Sequence, residues 1–165
     1  MRAFRSRKRL SIAIAGVAVI GTFAAVALAS PGVGFAPTTL VTANLDYNVH
    51  LNSDRVKFQT KDPTDVRVQK IVIAPGGYSG WHHHPGFVIV AVASGAVTFT
   101  HSDCSSTTYG PGLPAGAVFA EGGDDPGQAS SGAGGATVYA TFVAPNAGPV
   151  TPTTFRTEDA VVSCP

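Results

Sequence analysis

The chain has 165 residues, about the length of one domain. Only 13% of the residues are charged, and the 19 glycines and 12 prolines favour short strands joined by turns over long helices. The net charge of +1 hides an uneven distribution, because five basic residues precede residue 10, whereas residues 30–165 hold six basic and ten acidic residues. An acidic body lacks the Lys and Arg that bind phosphates, which excludes nucleic-acid binding.

Residues 1–29 are predicted to be a targeting segment. A basic end is followed by an uncharged apolar run of 20 residues, Leu10–Ala29, which closes on the small-residue site Ala27-Leu28-Ala29. This order is typical of a secretory signal peptide, and we favour cleavage near Ala29. A retained signal anchor is the alternative, because about 20 apolar residues are enough to span a bilayer. In both cases the basic residues stay in the cytoplasm, so the remainder is exported and is either secreted or held in the cell envelope.

The remaining elements are predicted in chain order. Residues 30–39, which begin with several prolines and glycines, are predicted to be a linker. Short runs of β-branched and aromatic residues follow, separated by glycine- and proline-rich turns. These strand candidates are Leu40–Leu45, Arg55–Gln59, Val66–Ile73, Phe87–Val92, Ala96–Thr100, Ala117–Ala120 and Thr137–Phe142. The pattern predicts a single all-β domain, a sandwich or barrel, over residues 40–145.

Two further segments complete this organisation. Asp124–Gly135 is rich in Gly and Ser and lacks an apolar pattern, so we expect a mobile loop. Residues 146–165 form a C-terminal tail that contains Cys164, and the other cysteine is Cys104. In an oxidising compartment a Cys104–Cys164 disulfide is favoured over two free thiols. Such a bond would tie the tail to the barrel and stabilise the fold by up to about 4 kcal/mol.

Most of the residues that could bind a metal or take part in a reaction lie in the segment Gly80–Gly86, which reads Gly-Trp-His-His-His-Pro-Gly. Alternate residues of an extended segment share a face, so His82 and His84 are predicted to point together and His83 away. Two imidazoles on one face can bind a divalent metal, and imidazole suits iron, nickel, copper and zinc alike. By itself the run also fits a solvated, histidine-rich turn. Trp81 and Tyr78 are candidates for lining a ligand pocket, with core packing as the alternative.

The glycines around this segment carry a resemblance to a known family. Gly76 lies six residues before His82 and Gly95 lies eleven after His84, which resembles the first cupin motif, G-x5-H-x-H-x3-E-x6-G. From about Leu40 to Pro145 the chain is similar to small exported bacterial cupin-domain proteins. The resemblance implies a double-stranded β-helical jelly-roll barrel with a metal site in its opening. It also implies a homodimer as one state, because such barrels often pair through their sheets.

The chain departs from this family at the metal ligands. Val88 occupies the position of the glutamate in the first motif. The second motif, G-x5-P-x-G-x2-H-x3-N, would start at Gly116 and then places Gly127 at the histidine. Of the four usual protein ligands, therefore, only the two histidines remain. A shifted loop could still bring another polar side chain near them, the candidates being Glu121, Asp124, Asp125 and Gln128.

These observations predict an exported barrel that binds a small molecule or serves as a structural protein, with a reduced metal site. A divalent metal ion of open identity, held by His82 and His84, is the one candidate cofactor, and no catalytic residue is assigned. A metal-dependent enzyme of the oxygenase or isomerase type, using the same two histidines, is the alternative.

Overall fold

Eight β-strands and no helix make up the computed structural model, which describes residues 30–148 and 153–164. The strands are β1 (Val33–Leu45), β2 (His50–Asn52), β3 (Lys57–Gln59), β4 (Thr64–Tyr78), β5 (His82–His101), β6 (Ser106–Tyr109), β7 (Val118–Pro145) and β8 (Thr157–Glu158). The predicted all-β class is confirmed. In these ranges no helix is long and apolar enough to cross a bilayer. The predicted targeting segment lies outside the described residues.

One sheet contains six strands in the order β1-β4-β7-β5-β6, with β8 added beside β5, and β2 and β3 form a separate hairpin. The long strands β5 and β7 bend, so that different parts of them pair with different neighbours. Residues 136–145 of β7 lie between β4 and the first half of β5, whereas residues 127–131 pair with the second half of β5. Within each of these paired stretches, successive residues of β5 pair with residues of β7 in decreasing order, as in an antiparallel ladder. The bends wrap the sheet into the predicted jelly-roll type of barrel.

The bends join strands that the sequence predicts separately. Phe87–Val92 and Ala96–Thr100 both belong to β5, and the chain turns between them at Gly95. Gly95 has a φ of +74°, and a Cβ there would lie 2.1 Å from the carbonyl oxygen of Gly135 on β7. Only glycine permits this conformation together with so close an approach. The crossing of β5 over β7 therefore depends on this residue.

Alternate residues of the bent strands fill the interior. Val88, Val90 and Val92 of β5 are buried, as are the inward residues of β4 and β7. The core consists of Ile71, Ile73, Val88, Val90, Val92, Val97, Phe99, Phe119, Ala129, Ala136, Val138, Ala140, Phe142, Ala144 and Phe155. Burying a side chain of valine size contributes roughly 1.5–3 kcal/mol to the stability of the fold, so this cluster holds the opposite sides of the barrel together.

The linker predicted over residues 30–39 is wrong for most of its length. β1 begins at Val33 and pairs with β4, with Phe35 opposite Ile73 and Pro37 opposite Ile71. β1 is the edge strand of the sheet, the position at which a strand tolerates a proline such as Pro37. A proline-containing segment can therefore be a strand at this position.

The mobile loop predicted over Asp124–Gly135 is also wrong, because this stretch lies within β7. Gly127, Ala129 and Ser131 are buried at every second position. A Cβ on Gly127 would lie 2.3 Å from the ring of Phe99, so the packing requires small residues here. The alternation is present, but it uses Gly, Ala and Ser, and an apolar pattern does not reveal it.

The C-terminal tail is attached to the barrel in three ways. β8 pairs with His82 and His83 at the start of β5. Phe155 enters the hydrophobic core. Cys104 and Cys164 form a disulfide with their Cα atoms 5.5 Å apart, which confirms the favoured pairing. The tail is therefore part of the folded body.

Candidate metal centre

The first residues of β5 place two histidines in the interior. The side chains of His82 and His84 are buried, with residue exposures of 5% and 4%, and their ring centroids lie 4.8 Å apart. His83 points the other way, and its Nδ1 lies 2.9 Å from the carboxylate of Asp159. This arrangement agrees with the orientation that the two-residue period of a strand predicts.

The hydrogen bonds of the two imidazoles determine which nitrogen is free. Nδ1 of His82 lies 2.9 Å from the carbonyl oxygen of Gly80, and Nδ1 of His84 lies 2.5 Å from that of Phe155. A carbonyl oxygen only accepts, so each Nδ1 carries a proton, and in the neutral imidazole the lone pair then lies on Nε2. Nε2 of His84 is buried and has no hydrogen-bond partner among the described residues. Metal-binding histidines usually show this pattern, in which one nitrogen donates to the protein and the other faces the ion.

A carboxylate from β7 completes the cluster. Glu121 Oε1 lies 3.7 Å from Nε2 of His84, and one ligand atom from each of His82, His84 and Glu121 lies within 4.8 Å of the others. The 3.7 Å separation is too long for a hydrogen bond. Two donors on one ion, each about 2.1 Å from it, lie roughly 3–3.5 Å apart, so a small inward movement of the side chains would let these atoms share a metal.

Glu121 lies opposite Val88, the residue at the glutamate position of the motif that the sequence resembles. The two residues are direct partners in the ladder between β5 and β7, and partners in a ladder project from the same face of the sheet. The carboxylate thus enters the centre from the neighbouring strand. Of the four side chains considered from the sequence, Glu121 joins the histidines, whereas Asp125 lies near His101 and accepts a hydrogen bond from Ser102.

The surroundings of His82 favour its neutral form. The pKa of this imidazole is lowered to about 4, chiefly by burial and also by the positive charge of Arg156, while the carboxylate of Glu121 opposes the shift. At neutral pH His82 therefore carries no charge. The neutral imidazole is the form that binds metals.

A cavity of about 260 Å³ adjoins the cluster and is bordered by His82 and Glu121. Its walls are mostly apolar, and its polar side chains beyond the cluster are Gln69, Ser79 and Arg156. The apolar lining residues are Phe35, Pro37, Ile71, Ile73, Val90, Val97, Phe119, Ala129, Val138, Ala140 and Phe142. An enclosure of this type suits a small molecule with an apolar body.

The aromatic residues predicted for the pocket do not line this cavity. Trp81 is buried, and its backbone N–H donates to the hydroxyl of Ser30 while its carbonyl accepts from Asp159. Tyr78 pairs with Ser130 of β7. Phenylalanines of β1 and β7 take the lining role, because the adjacent strands turn them inward.

Arg156 is a residue of the site that the sequence analysis missed. Its guanidinium donates to the carbonyl oxygen of Ser79, and it makes two hydrogen bonds to Glu158, Nε to Oε1 at 2.6 Å and Nη2 to Oε2 at 2.9 Å. Arg156 lies 74 positions after His82 in a tail with no regular pattern. No local signal in the sequence connects it with the histidines.

Comparisons with known proteins bear on the fold. No family model matches the chain, and no curated protein matches it. Among solved structures, the chain is similar to a conserved Streptococcus pyogenes protein of unknown function, at 17% identity and a TM-score of 0.47, over 68% of this chain and 76% of that one. It is also similar to a chain from the crystal structures of DMSP lyases, at 19% identity and a TM-score of 0.42, over 55% of this chain.

A third similar structure is a salicylate 1,2-dioxygenase from Pseudoaminobacter salicylatoxidans in complex with gentisate, at 15% identity and a TM-score of 0.44, over 66% of this chain. The chain spans 43% of the length of the lyase and 24% of that of the dioxygenase. At these identities the similarity concerns the fold alone.

Proposed function

We propose that this chain binds one divalent transition-metal ion through Nε2 of His82, Nε2 of His84 and the carboxylate of Glu121, with a small molecule bound in the adjoining cavity. The observation that carries the proposal is the unpartnered Nε2 of His84. A buried polar atom without a partner costs roughly 1–3 kcal/mol, and a bound ion would remove that cost. The neighbouring carboxylate makes a cation the fitting occupant.

The donor set narrows the choice of ion. Two neutral imidazoles and one carboxylate suit Fe(II), Co(II), Ni(II) and Zn(II) better than Mg(II) or Ca(II), which prefer all-oxygen sites. Three protein ligands leave coordination positions open for water or a bound molecule. One carboxylate neutralises half of the charge of a divalent ion, so an anionic or polarisable oxygen donor is the matching ligand.

The residues of this chain have separate tasks in that function. His82, His84 and Glu121 hold the ion, which when bound supplies a Lewis acid to an oxygen of the small molecule. The apolar walls around Val90 and Phe142 exclude water and bind the apolar body of the ligand. The guanidinium of Arg156 adds a positive charge at the cavity.

A metal-dependent enzyme is the second candidate. The observation in its favour is Glu121, because two histidines and one carboxylate with open positions form the ligand set that non-haem iron oxygenases use. Turnover of the molecule in the cavity separates this candidate from a binding protein.

We further propose that the protein acts outside the cytoplasm, after cleavage near Ala29. Support comes from the disulfide Cys104–Cys164, a bond that persists in oxidising compartments. Homodimer formation remains a prediction.

Metal titration tests the proposed function. Protein recovered after export from an expression host is stripped with a chelator, loaded with Fe(II), Mn(II), Co(II), Ni(II), Cu(II) or Zn(II), and analysed by elemental mass spectrometry. We expect one ion per chain, lost in the double variant His82→Ala/His84→Ala and retained in His50→Ala, which removes an exposed histidine of β2. Absence of metal above background in the wild type, or equal metal in the double variant, would overturn the proposal.

A further inference from the structure

We infer that the C-terminal segment, residues 153–164, positions both histidines of the metal centre, and that the Cys104–Cys164 disulfide fastens this segment in place. The inference rests on the proposed metal centre. It assigns a role in metal binding to residues more than 70 positions away from the histidines in the chain.

The first contact is between the segment and His84. The carbonyl oxygen of Phe155 accepts the Nδ1 proton of His84 and thereby turns Nε2 toward Glu121. The ring of Phe155 is anchored in the core, with its centroid 6.2 Å from that of the Phe142 ring, and the guanidinium carbon of Arg67 lies over the Phe155 ring, 3.9 Å from its centroid. The anchored ring determines where the carbonyl group lies.

The second contact acts on His82 through a turn. Arg156 donates to the carbonyl oxygen of Ser79, and the hydroxyl of Ser79 donates to the carbonyl oxygen of Gly80 while accepting from the N–H of Ala129. The same carbonyl of Gly80 accepts the Nδ1 proton of His82. Arg156 therefore supports the turn that orients His82.

The third contact is backbone pairing along the strand that carries the ligands. β8 pairs with His82 and His83, and the N–H of Asp159 donates to the carbonyl oxygen of Trp81. The carboxylate of Asp159 also binds Nδ1 of His83. The histidine strand is thus held on one edge by β7 and on the other by the C-terminal segment.

These contacts need a further link that keeps the segment in place, because β8 is only two residues long. So short a strand contributes little stability by itself. Cys164 ends the described part of the segment, and Cys104 lies in the turn that follows β5. The disulfide therefore joins the free end of the segment to the far end of the ligand strand, and closing a loop of about 60 residues limits how far the segment can move away.

The experiment compares metal affinity in four exported proteins: wild type, Cys104→Ser/Cys164→Ser, Arg156→Ala and Arg156→Lys. Co(II) is the probe, and its d–d absorption reports the coordination geometry. We expect the double serine variant and Arg156→Ala to bind Co(II) about 10–100-fold more weakly, which is the usual effect of removing a group that orients a ligand. Arg156→Lys should recover part of the loss, because an ammonium can still donate to Ser79.

Val161→Ala is the matched control, since it shortens an exposed side chain of the same segment, and it should bind Co(II) as the wild type does. Urea unfolding of the metal-free proteins identifies any variant that is merely unfolded. Wild-type binding together with unchanged affinity in both the double serine variant and Arg156→Ala would overturn the inference and leave the proposed metal centre standing.

A second measurement tests the positioning without any metal. Nitrogen-15 spectra of the metal-free protein report which imidazole nitrogen carries the proton. We expect the Nδ1–H form for His82 and His84 in the wild type, and a mixture of tautomers at His84 in the double serine variant. Failure of the wild type to bind Co(II) would contradict the proposed function, whereas identical tautomer signals in the two proteins would contradict the positioning role.

Discussion

Strands β5 and β7 both supply the candidate metal centre, but in different ways. β5 supplies His82 and His84, two residues apart in the chain, so their common direction follows from local strand geometry. β7 supplies Glu121, whose position depends on the ladder that sets it opposite Val88. The relative position of two ligands on one strand does not depend on how the strands pair. A ligand on a neighbouring strand reaches the site only if the two strands pair in one particular register. The carboxylate of this candidate centre thus comes from a different strand than the two histidines.

Removing a ligand from β5 should have the largest effect. In His84→Ala the buried nitrogen that faces Glu121 is gone, and we expect the affinity for Co(II) or Zn(II) to fall by more than about 100-fold, beyond the usual effect of an orienting group. Isothermal titration of the chelator-treated protein measures this change. An affinity equal to that of the His50→Ala control would place the ion elsewhere.

Removing the charge from β7 should have the next largest effect. Glu121→Gln keeps the shape of the side chain but loses the carboxylate, and we expect roughly 10–100-fold weaker binding of the same ion. Asp125→Asn is the control, because Asp125 lies on the same strand but near His101. If the two variants bind the metal equally well, the carboxylate of β7 is not a ligand.

The histidines of β5 also predict a pH dependence of the metal-free protein. The pKa of His82 is lowered by burial to about 4 in the folded state, and an unfolded histidine titrates near 6.5, so the unfolded state binds more protons between these values. Stability should therefore fall as the pH decreases from 7 to 5, by about 2 kcal/mol from this residue. Urea unfolding at both pH values measures the change, and His82→Gln should lose this part of it. An equal pH dependence in the two proteins would show that His82 is not the source.

The smallest expected effect tests the strand character of β7 outside the centre. In Gly127→Ala the new methyl group meets the ring of Phe99 at 2.3 Å, and we expect a loss of about 1–2 kcal/mol in the free energy of unfolding. Gly132→Ala places a methyl group in open space within the same stretch and should change stability by less than about 0.5 kcal/mol. Similar stabilities of the two variants would instead favour a loose loop over residues 124–135.

The comparison of β5 and β7 also shows which features were predictable from the sequence. The histidine orientation, the all-β class and the Cys104–Cys164 pairing follow from local spacing and composition. The strand over residues 124–135 was missed because Phe99 fills the space beside Gly127, so small residues replace the apolar pattern. Glu121 could be named only as one of four candidates, since the register of two distant strands decides which carboxylate enters the site.

The sequence predicts that the C-terminal segment is attached to the barrel, but it does not predict that the segment contacts the histidines. Two cysteines in a chain predicted to be exported indicate that the tail is tied to the body. Nothing local shows that the carbonyl group of Phe155 meets His84 or that Arg156 supports the turn before His82. These contacts depend on the three-dimensional path of the tail, which no periodicity encodes.

Anomalous diffraction from crystals of the Co(II)- or Zn(II)-loaded protein, recorded at the absorption edge of the metal, tests the central claim most directly. We expect one anomalous peak per chain, within bonding distance of Nε2 of His82, Nε2 of His84 and a carboxylate oxygen of Glu121, with the remaining positions taken by water or a small molecule. A peak elsewhere on the chain, or a peak bonded to the histidines with Glu121 turned away, would contradict it.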